Sequence, residues 1–398
     1  MRAHAFDVGV LGAGPVGLIA ALEFSQRCST VLVVDRTPEM GPMTRLEAVP
    51  AALVRLLLEF GIDPVAVGVD QLFDQRHIAW EQNDPQTLPT PRIAHVEHRA
   101  LSRSLFAIAQ NCRRLSIIVE STQPLLQQGL YRGRAWCARR VIDATGRRAI
   151  TALRRIHPPK PWVARVYSAR RSASGADGSL RIAALPFGYV YRLGSTKYDT
   201  IGVVGRGRSL GGGPDTLERA LVDAGAAWIL EGLPRMESMR AHAAHPASVQ
   251  WTDNPRVTAI GDAALSRDIL ASQGLATGIS DALYAAAAAG PEALRLFASH
   301  QQQQRNAHLT ALLEQIAKCR FRDEPVWRDY RAFITRHVRT KTSFRTVALV
   351  DGRIVDMSRQ PGPRRTAEAS EARASIARWV VVDQGHSSDH LPRTRNTP

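Results

Sequence analysis

The sequence contains little cysteine and no long run of apolar residues. Only four cysteines occur in 398 residues, none of them in a C-x-x-C pair. With no leader-like pattern before the first apolar stretch, we expect a reducing, cytoplasmic setting. No apolar run approaches the ~20 residues that cross a bilayer, so we expect no membrane span. The 12 histidines show no H-E-x-x-H or similar spacing, and we therefore predict no metal site.

Acidic residues are outnumbered by basic ones. The chain has 52 Lys and Arg against 36 Asp and Glu, a net charge of +16. Such a surface attracts anions, either a phosphate-bearing cofactor or an acidic protein. No zinc-finger spacing, RNP-like aromatic motif or contiguous basic helix accompanies this charge, so we predict no nucleic-acid partner. The apolar content of 44% is that of a globular protein, and the length predicts two substructures.

A glycine-rich motif stands near the N-terminus. Residues 6–12 are an apolar run that predicts a buried strand, and helical spacing follows over 15–26. Between these segments, Gly12, Gly14 and Gly17 have the G-x-G-x-x-G spacing. This spacing allows a tight turn, close approach of the backbone to a pyrophosphate, and close packing of the helix on the sheet. It predicts a dinucleotide site at the N-terminus of the helix.

An acidic residue ends the next predicted strand. Asp35 follows the apolar run 31–34 and lies 18 residues beyond Gly17. This is close to the ~20 residues expected of an acid that binds a ribose hydroxyl. Because a carboxylate disfavours a 2′-phosphate, the site suits FAD or NAD rather than NADP.

A second motif lies about 250 residues further on. Gly261 and Asp262 follow another apolar strand, where a carboxylate could bind a hydroxyl of the same cofactor. A third glycine turn, Ala144-Thr145-Gly146, follows the apolar run that ends at 143. FAD proteins of the glutathione-reductase-like group carry both of these turns, so the set of three motifs predicts FAD.

With these motifs the chain resembles the FAD-dependent monooxygenase and halogenase superfamily of the aromatic-hydroxylase type. The segment 45–50 is similar to a family segment whose arginine, here Arg45, reaches the flavin. Residues 267–275 resemble the loop along the flavin ring, and the helix that follows can stabilise negative charge on the flavin. Residues 319–330 resemble a segment of the maturation monooxygenases, which hydroxylate a Trp or Tyr of another protein to make a quinone cofactor. The resemblance covers roughly residues 5–335.

The resemblance implies a set of cofactor-binding residues. These are Gly12, Gly14, Pro15, Val16, Gly17, Asp35, Arg36, Arg45, Arg99, Gly261, Asp262, Gly274 and Leu275. In place of Arg99, the neighbouring His98 could serve at the position where the family often has an arginine. No catalytic acid or base is assigned; Ser272, Gln273 and Gly274 are the candidates beside the flavin ring.

Two departures from the family pattern bear on function. Ile269 stands where the flavin-ring loop commonly has a proline. The halogenase signature G-W-x-W-x-I-P is absent, and residues 185–192 occupy the comparable strand. The second departure disfavours a halogenase.

The predicted fold is α/β: a Rossmann-type FAD-binding domain interrupted by an antiparallel β-sheet substrate domain, with a helical C-terminal extension. We assign 1–62, 96–160 and 250–290 to the FAD-binding domain, 63–95 and 161–249 to the substrate domain, 291–335 to a helical region, and 336–398 to an extension whose last part we expect to be disordered. Within this scheme, helical spacing over 45–60 predicts a helix. We interpret the glutamine run 301–304 as a solvated helix face.

The expected function is an FAD-dependent monooxygenase that hydroxylates an aromatic ring. A Trp or Tyr of an acidic partner protein is the favoured substrate, and electrons come from NAD(P)H or from a separate flavin reductase. The alternatives are a hydroxylase of small aromatic molecules, an FAD-linked dehydrogenase, the disfavoured halogenase, and a flavin-binding partner protein without catalysis.

Overall fold

The computed structural model describes thirteen stretches of the chain. They are residues 4–27, 29–36, 45–121, 125–127, 130–158, 162–170, 179–210, 213–233, 237–250, 256–271, 273–338, 347–350 and 353–356.

The elements in these stretches form a mixed α/β fold. The strands are β1 (His4–Leu11), β2 (Val31–Asp35), β3 (Leu46–Pro50), β4 (Phe73–Ala79), β5 (Gln86–Glu97), β6 (Leu115–Val119), β7 (Leu125–Gln127), β8 (Leu130–Arg132), β9 (Trp136–Asp143), β10 (Arg154–Ile156), β11 (Trp162–Arg170), β12 (Leu180–Leu185), β13 (Gly188–Gly194), β14 (Tyr198–Arg206), β15 (Glu237–Ala243), β16 (Ala247–Gln250), β17 (Val257–Ala259), β18 (Leu265–Ser266), β19 (Val347–Val350) and β20 (Arg353–Asp356). The helices are α1 (Pro15–Gln26), α2 (Ala51–Glu59), α3 (His98–Gln110), α4 (Pro214–Asp223), α5 (Gly274–Ala287), α6 (Gly290–Lys318) and α7 (Pro325–His337).

The first sheet has a parallel body. Its strands β6, β2, β1, β9 and β17 lie side by side in that order and all run the same way, while β8 and β7 extend it from β9 antiparallel. Apolar runs such as 31–34 are buried because α1, α3 and α5 contribute to a core on this sheet. The parallel strands bring the segments after Leu11, Asp35, Asp143 and Ala259 to one edge.

The second sheet has eight strands in the order β15-β11-β14-β13-β12-β4-β5-β3. All its pairs are antiparallel except β12 with β4. One face packs on α6 and α7 through Trp162, Trp327 and Tyr330. The other face packs on α4 through Leu217 and Leu221. The division of the chain into a cofactor domain and a substrate domain stays a prediction.

The single helix predicted over 45–60 is wrong in its first part. Residues 46–50 form the edge strand β3, which pairs with β5, and α2 begins only after Pro50. A proline disfavours helical geometry at the residue before it, so Val49 is extended although its spacing suits a helix. Strand β3 belongs to the second sheet and follows β2 of the first sheet, so the chain passes from one sheet to the other here.

The glutamine run on α6 is not the solvated face that we predicted. Gln304 is buried, and Gln301 donates a 2.9 Å hydrogen bond from its side chain to the carbonyl oxygen of Ala259. Helix α6 packs against Arg267, whose guanidinium donates a hydrogen bond to the side-chain oxygen of Gln304. The buried amide therefore has a polar partner.

The hairpin of β19 and β20 belongs to the predicted extension. Val347 and Leu349 are buried in the core of the first sheet. The final segment, for which we predicted disorder, lies outside the described residues. Within the described part of the chain, no helix is long and apolar enough to cross a bilayer.

A buried carboxyl anchors the second glycine turn to α5. Asp281 accepts a 3.0 Å hydrogen bond from the backbone N–H of Gly261 and a 3.3 Å bond from the side chain of Gln301. Its other oxygen has no partner among the described residues. Burial raises the pKa of Asp281 to about 6. The folded protein therefore holds this proton more tightly than the unfolded chain does.

This pKa predicts a pH dependence of stability. The contribution of Asp281 is complete below its ordinary pKa of 3.8 and is lost as the pH rises through about 6. We expect the contribution to the free energy of unfolding to fall by about 3 kcal/mol between pH 4 and pH 8. Asp281→Asn removes this slope, whereas Asp223→Asn at the exposed end of α4 keeps it. Urea unfolding of the three proteins across this range measures the difference; equal slopes for Asp281→Asn and the wild type would contradict the assignment.

Candidate cofactor and substrate site

A cavity of about 1060 Å³ lies where the carboxyl ends of the parallel strands meet the second sheet. Such a position is where open α/β sheets bind ligands. Its volume reaches the upper end of the ~300–1,000 Å³ range of small-molecule sites. The cavity has room for a cofactor together with a substrate.

The glycine turn after β1 forms one end of the cavity. Gly12 has a φ of +106°, and a Cβ there would lie 2.5 Å from the carbonyl oxygen of Ala144. A Cβ at Gly17 would lie 2.0 Å from the carbonyl oxygen of Gly12, whereas Gly14 has open space around it. Gly14 lines the cavity and immediately precedes α1, whose first residue is Pro15. The turn presents backbone and the positive end of a helix to a ligand.

Asp35, the acidic residue at the end of β2, forms a hydrogen bond with this turn. Asp35 accepts a 2.6 Å hydrogen bond from the backbone N–H of Ala13. Asp35 and the exposed Arg36 both line the cavity. The carboxylate is therefore held beside the glycine turn, at the position expected for a ribose-binding acid.

A third turn is shaped by a buried carboxylate. Asp143 at the end of β9 accepts hydrogen bonds from the backbone and hydroxyl of both Thr145 and Thr151. This directs Arg147 into the cavity wall, where its Nε lies 3.5 Å from an oxygen of Asp262. The side chain of Asp262 is 37% exposed and lines the cavity. One of its oxygens is thus oriented by an arginine.

Close backbone packing holds the Gly261 turn against α1. A Cβ at Gly278 would lie 2.6 Å from Val16, and one at Gly261 would lie 3.2 Å from the same side chain. Gly261 also has a φ of +58°. These contacts fix Asp262 relative to the glycine turn after β1.

A charged triad lies at the start of β3. Arg45 forms a 2.6 Å ion pair with Glu47, and His98 lies 2.9 Å from the same carboxylate oxygen. Burial raises the pKa of Glu47, but the charges of Arg45 and His98 outweigh burial and hold this pKa well below its usual range. All three side chains line the cavity, while Nε of Arg45 has no hydrogen-bond partner among the described residues.

Residues 267–269 and 273–275 form the far wall. Arg267 is buried and donates hydrogen bonds to the side-chain oxygens of Gln273, at 3.2 Å, and Gln304, at 2.7 Å. Ile269 begins a short 3₁₀ turn. The backbone N–H of Leu270 in this turn donates to both the hydroxyl of Tyr189 and the carboxylate of Asp268.

Asp268 links this wall to three other elements. Its carboxylate accepts hydrogen bonds from the hydroxyls of Tyr189, at 2.6 Å, and Tyr330. Its backbone N–H donates to Nε2 of His308. Tyr330 stacks on Trp162, with ring centroids 4.2 Å apart. The wall is therefore rigidly attached to the second sheet, α6 and α7.

The second sheet supplies the apolar part of the cavity. The lining side chains there are mostly aliphatic: Leu46, Ala48, Ala164, Val166 and Leu193. Tyr191 lies among them, and burial raises its pKa to about 12. Ala241 and Ala243 on the outer strand β15 are exposed and also line the cavity. The apolar chamber therefore reaches the surface at β15.

Most of the residues implied by the sequence come together in this cavity. Those that line it are Gly12, Gly14, Pro15, Val16, Asp35, Arg36, Arg45, Asp262, Gln273, Gly274 and Leu275. Gly17 and Gly261 are packing positions behind the lining. Of the two residues proposed for one position, His98 lines the cavity and Arg99 does not. Ser272 lies outside the described residues.

Sequence reasoning missed several lining residues. Glu47 follows Arg45 by two residues, and strand alternation could have placed both side chains on one face. Tyr191 carries no local motif, and Asp268 lies in the segment that resembles the flavin-ring loop but is assigned no role, because its position depends on contacts with distant elements.

The open space at Gly14 and the tight space at Gly17 give a matched pair of substitutions. We expect Gly14→Ala to leave thermal stability unchanged and to weaken FAD binding at least about tenfold, because its methyl group fills the ligand side of the turn. Gly17→Ala lowers the free energy of unfolding by about 1–3 kcal/mol through overpacking. Thermal unfolding and quenching of FAD fluorescence separate these effects. Wild-type affinity in Gly14→Ala would refute the assignment of the turn to the cofactor.

No family model matches the sequence, and no curated protein matches it. Solved structures do match the fold. The myxobacterial FAD-dependent chondrochloren halogenase CndH gives a TM-score of 0.68 at 18% identity, over 82% of this chain and 86% of that chain. The peptidyl tryptophan dihydroxylase QhpG, essential for tryptophylquinone cofactor biogenesis, gives a TM-score of 0.65 at 17% sequence identity. The match covers 97% of this chain and 100% of that chain.

A third structure agrees with these two. PqsL, a probable FAD-dependent monooxygenase from Pseudomonas aeruginosa, gives a TM-score of 0.62 at 16% identity, over 84% of this chain and 100% of that chain. At such identities the likeness establishes the fold. This chain has the mixed α/β fold of the FAD-dependent monooxygenases and halogenases.

Proposed function

We propose that this protein is an FAD-dependent monooxygenase that hydroxylates the aromatic ring of a Trp or Tyr in a partner protein. The observation that carries the proposal is the cavity. It joins a dinucleotide-type glycine turn to an aliphatic chamber on a second sheet, within the fold of the flavoprotein monooxygenases.

The residues at the glycine-turn end fit FAD. Gly14 leaves room for close approach of the pyrophosphate, and α1 directs its positive end there. Asp35 and Asp262 offer carboxylates to ribose or ribityl hydroxyls. Arg45, which pairs with Glu47 and has a buried Nε without a partner among the described residues, offers a further donor in the cavity wall. When bound, FAD supplies the activation of O₂ for oxygen transfer.

The protein's own contribution to the reaction is binding and exclusion of water. Leu46, Ala164 and Val166 surround a ring with aliphatic side chains, which favours an aromatic substrate and keeps the reacting atoms dry. Tyr191 is protonated at neutral pH, and burial raises its pKa further to about 12, so its hydroxyl can donate a hydrogen bond. Asp268 holds the opposite wall in place through the hydroxyls of Tyr189 and Tyr330.

Coverage of the matched structures favours a protein substrate. The match to QhpG extends over 97% of this chain, whereas those to PqsL and CndH cover 84% and 82%. QhpG is described as a peptidyl tryptophan dihydroxylase. The exposed edge at β15 gives a chain-borne side chain a route into the chamber. The net charge of +16 suits an acidic partner.

The direct test is turnover with labelled oxygen. Protein loaded with FAD is reduced, by NADPH, by NADH or by an added flavin reductase, and is then exposed to isotopically labelled O₂ with acidic peptides containing Trp or Tyr. We expect one labelled oxygen atom on the ring of the peptide, detected by mass spectrometry. A product only from free small aromatics would indicate a small-molecule hydroxylase, and a halogenated product in the presence of halide would indicate a halogenase. Bound FAD that no donor reduces would contradict an enzyme.

A substitution at the chamber's exposed edge tests the substrate route. Ala243→Trp fills the opening at β15, and we expect KM for the peptide to rise at least about tenfold with FAD affinity unchanged. Ala107→Trp, exposed on α3 and outside the cavity lining, is the matched control. Equal KM values for the two variants would place the substrate entrance elsewhere.

A further inference from the structure

A buried cation faces the cavity from the segment that follows the Gly261 turn. Arg267 is 5% exposed and lines the cavity wall. Its guanidinium donates to the side-chain oxygens of Gln273 and Gln304. Both partners are neutral amides, which orient the guanidinium without balancing its charge.

No carboxylate neutralises Arg267 by contact. Within the described stretches, no acidic oxygen lies within 4.0 Å of its nitrogens. Asp262 and Asp281 act on it only at longer range. Burial lowers the pKa of Arg267 to about 10, so the side chain stays charged at neutral pH. A buried charge without a counter-charge is costly, which points to a ligand that supplies one.

The groups behind Arg267 do not supply the missing charge. His300 and His308 on α6 are neutral at neutral pH, because burial lowers their pKa values to about 4 and about 3, so they neither balance Arg267 nor add a second positive charge behind it. The carboxylate of Asp268 makes its hydrogen bonds to the hydroxyls of Tyr189 and Tyr330, while the guanidinium of Arg267 donates to Gln273 and Gln304. The positive charge is therefore presented toward the cavity.

A second positive feature lies beside it. Helix α5 begins at Gly274, and both Gly274 and Leu275 line the cavity. The N-cap residue Gln273 makes no side-chain capping bond to the helix. The N-terminal end of this 14-residue helix adds to the positive potential near Arg267.

If the glycine turn and Asp35 hold the adenosine and pyrophosphate end of FAD, the ring would lie toward the end of the cavity where Arg267 is found. Two electrons and one proton convert oxidised FAD to its reduced anion, which leaves one negative charge on the pyrimidine part of the ring. We propose that Arg267, held by Gln273 and Gln304, binds this anion and stabilises reduced FAD over oxidised FAD. The inference rests on the cofactor of the proposed function and not on its substrate.

The midpoint potential of the bound flavin tests this proposal. Arg267→Met removes the charge but keeps an apolar stem. We expect the preference for reduced FAD to fall about tenfold, equivalent to a midpoint potential about 30 mV lower for a two-electron couple. The measurement is a dithionite titration with a reference dye of known potential, free of substrate and O₂. Arg219→Met, at an exposed position on α4, removes one positive charge elsewhere and leaves the potential unchanged.

A second variant neutralises the charge of Arg267 while the arginine itself is kept. Gln304→Glu places a carboxylate where the amide oxygen lies 2.7 Å from Arg267. The new ion pair neutralises the guanidinium, so we expect the potential to fall again, while Gln304→Met, which keeps the charge free, has a smaller effect. This variant tests the charge even where Arg267→Met does not fold.

The outcomes separate the two proposals. An unchanged potential in folded, FAD-bound Arg267→Met and Gln304→Glu would overturn the role of Arg267 and leave the monooxygenase intact. An unchanged potential with a raised KM would overturn it too and assign the cation to a substrate carboxylate. Wild-type protein that does not bind FAD would overturn both proposals.

Discussion

The close approach of backbone at two glycine positions is the constraint on which the rest of the site depends. Any side chain at Gly17 would collide with the carbonyl oxygen of Gly12, and any at Gly278 would collide with Val16. Because glycine has no side chain at these two positions, the backbone can pack closely there. This close packing lets both α1 and α5 begin at the edge where the parallel strands end. Two positive helix termini and the carboxylates of Asp35 and Asp262 are thereby directed into one cavity.

The opposite wall is held by buried polar groups rather than by glycine. Asp268 joins Tyr189 of the second sheet to Tyr330 of α7, and Gln304 of α6 orients Arg267. Such a network is stable only when every member is satisfied, so it defines the shape of the wall closely. The hydrogen bonds of Leu270 hold the turn that begins at Ile269, where the sequence resemblance implies a proline. The wall can therefore be rigid without that proline.

The glycine turns could be predicted from the sequence because their chemistry is local. Spacing alone placed Gly12, Gly14 and Asp35 at one site, and all three line the cavity. Pro50 is a local signal against a helix at Val49, but the pairing of β3 with β5, which overrides the helical spacing of the preceding residues, is a contact that no local pattern contains. The burial of Gln304 depends on Arg267, 37 residues away, and no local pattern signals it. Polar contacts between distant residues are the part of the site that the periodicity of the sequence cannot predict.

We propose that one cavity holds a whole dinucleotide, with the adenosine half at Asp35 and the ring toward the far wall. Titration calorimetry with FAD and with FMN, which lacks the adenylate half, tests it most directly. The account predicts one FAD per chain and binding of FMN about 100-fold weaker or more, since the contacts at the glycine turn and at Asp35 are lost. Equal affinity for FMN and FAD, or no binding of either, would contradict it.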